Sequence, residues 1–287
     1  EIKPVTHFPP LFSLLLAGIS LAGLDLLVAA RVLITLLFGI TILLTGLSVY
    51  RLSHSVLFAL LGGFLLATSD VFLGVYSMAL SEALFLALLL GAFLALSRGV
   101  ECASLGWLAG AGGLLSLATL TRYAGASLYV TAGLVVILMG LSRQKRSWKT
   151  LGRQVGALLT GGIPLLLAWG VISSQGADSD AVGNRLVTWH PPALSMLFEA
   201  AKNLLTWLAA DDLLQNAPIF GRLLSLISLL LLPGLLGWLT WRAWPRRAGA
   251  PRTPALGWAL ALHIPLYLGF LLVSLTLFDA STPLNER

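Results

Sequence analysis

The sequence predicts an all-α fold, a polytopic bundle of about eight membrane-spanning helices with interfacial helices on one side. Three observations lead to this prediction: 57% of the 287 residues are hydrophobic, only 10% are charged, and the mean hydropathy is +0.91. A soluble domain carries about 25% charged residues. Long apolar runs recur along the whole chain and predict helices that are hydrophobic nearly all round. We therefore expect residues 1–287 to form one transmembrane domain in a lipid bilayer.

The apolar runs give the candidate helices in chain order. The first run, 11–24, follows Pro9-Pro10 and is only 14 residues long, whereas a helix needs about 20 residues to cross a bilayer. It is either a short span or an interfacial helix. Eight further runs are candidate spans, and they cover residues 32–49, 55–69, 83–97, 105–121, 124–141, 154–173, 222–241 and 255–278.

The charges predict which side of the bundle faces the cytoplasm. Eleven of the 18 basic residues fall in alternate loops, and eleven of the 12 acidic residues fall on the other side, so that only Glu101 joins the basic loops. Cytoplasmic loops collect Lys and Arg, which makes the basic side the inner one and suggests a multi-pass protein of an inner (plasma) membrane. Topology signals and headgroup contacts explain the net charge of +6, so it does not indicate a nucleic acid partner.

The same argument assigns residues 11–24 to the outer face, because a crossing there would turn every later basic loop outward. The outer face then has four features. They are residues 1–31, the stretch Asp70–Glu82, a tight hairpin at Thr121-Arg122-Tyr123, and a long outer segment, 173–221, in which apolar residues between Leu194 and Leu208 recur at helical spacing.

Candidate site residues come from these outer features. Asp70 and Glu82 bracket eleven mostly apolar residues, and a carboxylate at a membrane edge is costly unless it is hydrated or paired. A solvated loop, or helix capping by Glu82, explains the same pattern. Arg122, with Tyr123 beside it, is either an interfacial anchor or a ligand for a lipid phosphate, since a planar guanidinium suits bidentate phosphate contact.

The remaining candidates lie near the two ends of the sequence. His7, just before Pro9-Pro10, is a candidate to contact a substrate or a metal, and the polar strip 279–287 contains Asp279, Asn285 and Arg287. A plain loop is the alternative for each. No Gly-rich phosphate loop, CxxC pair or HExxH zinc motif is present. Because Cys102 is the only cysteine, no intrachain disulfide is expected.

Taken in order, several stretches resemble the GT-C superfamily of membrane glycosyltransferases, nearest to the protein mannosyltransferases and the aminoarabinose transferases of lipid A. The resembling stretches are THFPPLFSLLLAG (6–18), AARVLITLLFGITILL (29–44), SEALFLALLL (81–90), LATLTRYAG (117–125) and PLNER (283–287). The resemblance implies an outward-facing cavity where a polyprenyl-phosphate sugar donor meets a glycan, glycolipid or protein acceptor. It implies no named metal ligand, although a divalent metal serves some branches.

The resemblance also assigns roles to single residues. It matches His7 and Pro9-Pro10 to the loop after the catalytic aspartate, Glu82 to a glutamate facing the cavity, and Arg122, Tyr123 and Arg287 to positions near the donor phosphate. The catalytic aspartate itself would precede Glu1. The resemblance therefore leaves the catalytic base unknown and suggests a fragment that lacks the first span and a C-terminal part.

Two other functions fit the hydropathy. A transporter or flippase for a lipid-linked or small solute would be favoured by inverted repeats or broken mid-membrane helices, and no repeat is evident in the sequence. A non-catalytic membrane scaffold would not explain why the acidic residues gather on one side.

Overall fold

The fold is known from a computed structural model, which describes residues 9–141, 148–175 and 255–277 together with Gly234 and Trp238. Within these residues the structure is helical, with short turns and no strand, as the all-α prediction requires. A single 3-10 turn, Tyr123–Gly125, separates α6 from α7. The helices are α1 (Leu11–Leu21), α2 (Leu26–Ser53), α3 (Val56–Ala67), α4 (Asp70–Ser77), α5 (Ser81–Glu101), α6 (Leu105–Thr121), α7 (Ala126–Leu141), α8 (Trp148–Gln175) and α9 (Ala255–Leu277).

Several of the helices are long and apolar enough to cross a membrane, which supports a membrane protein. In the described part of the chain, five helical segments meet this condition, and a sixth does if α3 and α4, bent by 59° at their junction, are counted as one span. The five are Leu26–Ser53, Ser81–Glu101, Tyr123–Gly140, Trp148–Ser174 and Ala255–Ser274. The count of eight is therefore not confirmed, and the run 222–241 lies outside the described residues apart from Gly234 and Trp238.

Three of the predicted runs form shorter helices. The run 105–121 becomes α6, with 17 residues, and the run 11–24 becomes α1, with 11 residues. The run 55–69 gives only the 12-residue α3, which ends at Ala67. The predicted amphipathic helix between Leu194 and Leu208 lies outside the described residues.

The chain divides into two compact units. The first comprises Glu1–Asn184 and Pro254–Ala259, and the second comprises Arg185–Thr253 and Leu260–Arg287. Among the described residues, the first unit holds α1 to α8 and the first turn of α9. In the second unit the rings of His263 and Tyr267, one helical turn apart on α9, lie 5.5 Å from each other.

At the predicted outer side of the first unit, α1, α2, α4 and α5 share an apolar cluster, here called the outer cluster. It contains the buried residues Phe12, Ile34, Leu37, Phe72, Tyr76, Ala83, Leu84 and Ala87. Phe72 and Tyr76 lie one turn apart on α4, so this eight-residue helix buries one face while Asp70 and Leu73 stay exposed. The stretch 70–77 is thus a packed helix and not a solvated loop.

Further into the first unit, α6 and α8 approach each other backbone to backbone. A Cβ added at Gly112 would overlap the carbonyl oxygen of Leu158, and one added at Gly161 would overlap that of Ala109. Small residues allow such close packing, which replaces the hydrophobic driving force that is lacking between helices in lipid. The glycines in Ala109-Gly-Ala-Gly-Gly and in Gly161-Gly162 therefore determine how closely α6 and α8 pack.

A polar cluster joins α6, α7 and α8 beside these glycines. The Ser116 hydroxyl donates to the carbonyl oxygen of Gly162 at 2.6 Å and lies 2.5 Å from the Tyr129 hydroxyl. The Tyr129 hydroxyl also donates to the carbonyl oxygen of Gly112 at 2.9 Å. Polar side chains inside a membrane bundle pair across helices because no water is at hand to satisfy them. This cluster fixes α6, and Arg122 follows directly after its last residue.

Candidate functional site

Glu82 is positioned by the start of α5. The chain is extended at Leu80, with φ −103° and ψ 150°, and α5 begins at Ser81, which places Glu82 in the first turn. The unpaired backbone N–H groups of a helix start favour a negative charge there. The start of α5 therefore favours the negative charge of Glu82, whose side chain is 31% exposed.

Arg122 is positioned by the end of α6. The helix ends at Thr121, and Arg122 turns to an extended conformation with φ −148° and ψ 132° while its N–H still donates to the carbonyl oxygen of Ala118 at 2.9 Å. The chain reverses at once through the Tyr123–Gly125 turn into α7. The predicted tight hairpin is confirmed.

A glycine makes this reversal possible. A Cβ at Gly125 would lie 2.6 Å from the Thr119 nitrogen and 2.8 Å from the carbonyl carbon of Ala118. Both are backbone atoms, which cannot rotate aside as a flexible side chain can. Gly125 thus lets the turn fold back against the last turns of α6 and hold Arg122 at the helix end.

The structure brings Glu82 and Arg122 together as an ion pair between Nη1 of Arg122 and Oε1 of Glu82. The Arg122 side chain is 22% exposed, so the pair is partly buried. Because α5 and α6 are antiparallel, Glu82 at the start of α5 meets Arg122 at the end of α6. Each helix dipole favours the charge it carries, and each charge favours its partner. The sequence predicted Arg122 either as an interfacial anchor or as a phosphate ligand. It did not predict the ion pair with Glu82.

Tyr76 connects the backbone beside Glu82 to the rest of the outer cluster. Its hydroxyl lies 2.7 Å from the Thr41 hydroxyl on α2 and donates to the carbonyl oxygen of Ala83 on α5 at 3.3 Å. Its ring packs against those of Phe72, 4.4 Å away between centroids, and Phe38, 5.5 Å away. Sequence reasoning missed Tyr76, although the spacing of Phe72 and Tyr76 by four residues on a short amphipathic helix was a usable signal.

The other predicted site residues are less closely connected to this pair in the structure. Asp70 opens α4 and is exposed. Tyr123 begins the turn after Arg122 and is 38% exposed. Four predicted residues lie outside the described part of the chain, and these are His7, Asp279, Asn285 and Arg287.

Among residues 9–141, 148–175 and 255–277, no group of three or more His, Cys, Asp or Glu is placed so that it could hold a metal ion. The Glu82–Arg122 pair offers one carboxylate and one guanidinium, which can bind an anion, orient a polar substrate group and stabilise negative charge.

Comparison with known proteins adds no family assignment. No protein-family model, no curated protein sequence and no solved structure matches this chain. The described helices are those of a membrane protein, with a glutamate and an arginine paired where the start of α5 meets the end of α6.

Proposed function

We propose that this chain is part of a membrane glycosyltransferase that moves a sugar from a polyprenyl-phosphate-linked donor to an acceptor on the outer face of the membrane. The observation that carries the proposal is the Glu82–Arg122 pair, a charged and partly exposed pair where the start of α5 meets the end of α6. The ordered stretches that resemble the GT-C superfamily, above all those around Glu82 and Arg122, supply the choice of reaction.

Arg122 has the chemistry to bind the phosphate of such a donor. A guanidinium presents a planar fork of N–H donors that matches both carboxylate and phosphate oxygens. In the proposed resting state Glu82 holds Arg122 in place, which removes the entropic cost of ordering a long side chain when the donor arrives. The donor phosphate then shares or takes over hydrogen bonds that Arg122 makes to Glu82.

The reaction itself is a substitution at the anomeric carbon. The acceptor hydroxyl oxygen bonds to that carbon, the bond from the carbon to the phosphate oxygen breaks, and the polyprenyl phosphate leaves as an anion. A carboxylate takes the hydroxyl proton. Glu82 is already engaged with Arg122, so we assign it to orienting that arginine and assign the proton to a different carboxylate. Arg122 stabilises the charge that develops on the leaving phosphate.

The proposal is tested by measuring sugar release from a radiolabelled polyprenyl-phosphate sugar in membranes that contain the full-length protein. Arg122→Ala is expected to lower turnover by about 100-fold or more, as for loss of one charge-stabilising group in a transition state. Arg122→Lys keeps the charge without the fork and should retain part of the activity. The matched control is Arg98→Ala, which removes an exposed arginine at the opposite end of α5.

A charge exchange separates catalysis from stability. If the pair only holds α5 and α6 together, Glu82→Arg combined with Arg122→Glu restores both the fold and the transfer. The proposal expects the double variant to recover part of the thermal stability lost in Arg122→Ala and yet to remain inactive. Normal transfer by a folded Arg122→Ala protein would remove Arg122 from the mechanism.

A transporter or flippase for a lipid-linked or small solute is the second candidate, and the 59° bend between α3 and α4 favours it. Broken helices form substrate sites near the midplane in many transporters. Here the break follows the 12 residues of α3, which rise about 18 Å. A helix of that length ends inside a hydrocarbon core of about 30 Å, just past its middle, as a transporter site requires. Movement of a lipid-linked sugar between leaflets of a reconstituted vesicle, with no release of sugar, would support this second function.

A further inference from the structure

The two arginines of α2 indicate how this helix fits a membrane. Arg31 and Arg51 are the charged residues of α2, and the stretch between them is uncharged. They are 20 residues apart, a rise of about 30 Å, which matches the hydrocarbon core of a bilayer. Thr41 is ten residues from each of them. If α2 crosses the core between its arginines, Thr41 therefore lies near the middle of the core.

Two hydrogen bonds connect this level of α2 to the Glu82–Arg122 pair. The Tyr76 hydroxyl lies 2.7 Å from the Thr41 hydroxyl and donates to the carbonyl oxygen of Ala83 at 3.3 Å. Ala83 directly follows Glu82, which pairs with Arg122. Because one helical residue rises only about 1.5 Å, the backbone of Glu82 lies close to the level of Thr41. The pair is thus about 15 Å from the nearer end of the α2 span.

α8 gives a second measure of the same depth. Gly162 meets the Tyr129 hydroxyl in the first turn of α7, and Gly140 near the other end of α7 meets Leu151. α8 is therefore antiparallel to α7 and continues past Gly162 toward the end of the bundle where Arg122 lies. The 13 residues that follow Gly162 in α8 are uncharged and rise about 20 Å. Uncharged helix thus extends about 10 Å beyond the level of Arg122.

The exposed side chains of α1 and α2 argue against a pair at the membrane surface. With the pair at the surface, the part of α2 from 26 to 40 would stand in water over a rise of about 22 Å. Leu27, Val32 and Leu36 on this part are exposed, and so is Leu21 at the end of α1. Apolar area in water is unfavourable roughly in proportion to its size. These side chains therefore favour lipid around the first half of α2.

We infer that the Glu82–Arg122 pair lies inside the hydrocarbon thickness of the membrane, at the bottom of a water-filled recess. Both side chains are partly exposed, and charged groups at membrane depth face a water-filled cavity or the bundle interior because contact with lipid is costly. Asp70 is exposed at a similar depth. It opens α4, in which the ring of Phe72 packs 5.3 Å from that of Phe38 on α2.

The recess determines what can reach Arg122. A ligand must bring a small hydrated polar group about 15 Å into the membrane, which a bulky folded partner does not do. The sequence predicted these charges at the membrane edge, whereas their level along the helices places them deeper. The recess does not rest on the transferase proposed above, because a transporter would need the same water-filled path.

The experiment measures water access by spin labelling of the full-length protein in liposomes. Its native cysteines, Cys102 among them, are replaced by serine, and each variant carries a nitroxide on one new cysteine. Asp70→Cys and Tyr123→Cys place labels in the recess. Leu36→Cys is the matched control on the exposed side of α2 at a similar depth, and Lys149→Cys at the exposed start of α8 gives the value for water. Collisions with a neutral, water-soluble nickel chelate are compared with collisions with oxygen, which concentrates in lipid.

We expect a nickel-to-oxygen collision ratio at Leu36 that is several-fold lower than at Lys149, and ratios at Asp70 and Tyr123 that are close to the value at Lys149. A ratio at Leu36 as high as at Lys149 would place the first half of α2 in water and the pair at the surface, which overturns the inference. A low ratio at either Asp70 or Tyr123 would show that water does not reach the pair and would overturn the recess.

A second label position keeps the test open if Tyr123→Cys does not fold. Leu80→Cys then takes its place, because Leu80 is exposed and lies two residues before Glu82. None of these measurements involves sugar release. The recess can therefore fail while the transferase holds, and the transferase can fail while the recess holds.

Discussion

Replacement of Gly161 by alanine tests the close approach of α6 and α8. The added Cβ would overlap the carbonyl oxygen of Ala109 and would lie 2.6 Å from its carbonyl carbon and 2.7 Å from its Cα. Carbon atoms in contact prefer about 3.5–4.0 Å. The two helices must therefore separate by about 1 Å, because the clashing atoms belong to a helix backbone and cannot rotate away.

The expected cost follows from this separation. Overpacking costs about 1–3 kcal/mol in a well-packed interior, and the rigid backbone places Gly161→Ala in the upper part of that range. Separation would also stretch the 2.6 Å hydrogen bond from the Ser116 hydroxyl to Gly162, which adds about 0.5 kcal/mol or more. We expect Gly161→Ala to lower the free energy of unfolding by about 2–3 kcal/mol.

The matched control is Gly156→Ala on the same helix, where an added Cβ would find no atom within 4 Å. It should be neutral or slightly stabilising, because alanine is the better helix former by about 0.5–1 kcal/mol. The assay is equilibrium unfolding in mixed micelles with increasing dodecyl sulfate, followed by the fluorescence of the 9 tryptophans. Equal midpoints for Gly161→Ala and Gly156→Ala would refute the proposed backbone contact.

Two further predictions concern single hydrogen-bonding side chains. Tyr76→Phe keeps the ring in the outer cluster and loses the 2.7 Å contact with the Thr41 hydroxyl. The same unfolding assay should show a free energy of unfolding lower by about 1 kcal/mol, against about 3–5 kcal/mol for Tyr76→Ala. A Phe variant as unstable as the Ala variant would contradict the packing role of the ring. Glu101→Gln removes the negative charge from the start of α9, where its Oε1 accepts from the N–H of Ala255 at 3.1 Å. Hydrogen exchange at 255–259 should then speed up severalfold while exchange at the start of α5 stays unchanged, and equal protection in both proteins would show that the charge does not hold this turn.

The sequence predicted the helices of this protein well where an apolar run was long and uninterrupted. The run 32–49 lies inside α2, and the run 83–97 lies inside α5, because a long apolar segment in lipid must satisfy its own backbone as a helix. The tight reversal at Arg122 was also predicted, since two apolar runs left room for only a few residues between them. Helix ends were less predictable: α3 stops at Ala67, where Thr68 and Ser69 lead into the bend before α4.

The sequence predicted the members of the candidate site better than their contacts. Glu82 and Arg122 were both chosen from their places at helix ends, and the structure joins them. Their pairing could not be read from a separation of 40 residues, because it depends on how α5 and α6 are rotated and shifted against each other. Tyr76 was missed for the same reason: its partners Thr41 and Ala83 belong to two other helices.

Hydropathy and charge thus determined by themselves that this protein is built of apolar helices, and they predicted which loops share a side. Both properties act locally, since each helix satisfies its backbone within itself and each loop carries its own charges. Only the tertiary structure decided which helices touch, through backbone contacts at Gly112 and Gly161 and through the Glu82–Arg122 pair. Apolar helices in lipid have no hydrophobic preference for one another, so small residues and a few polar pairs select the partners.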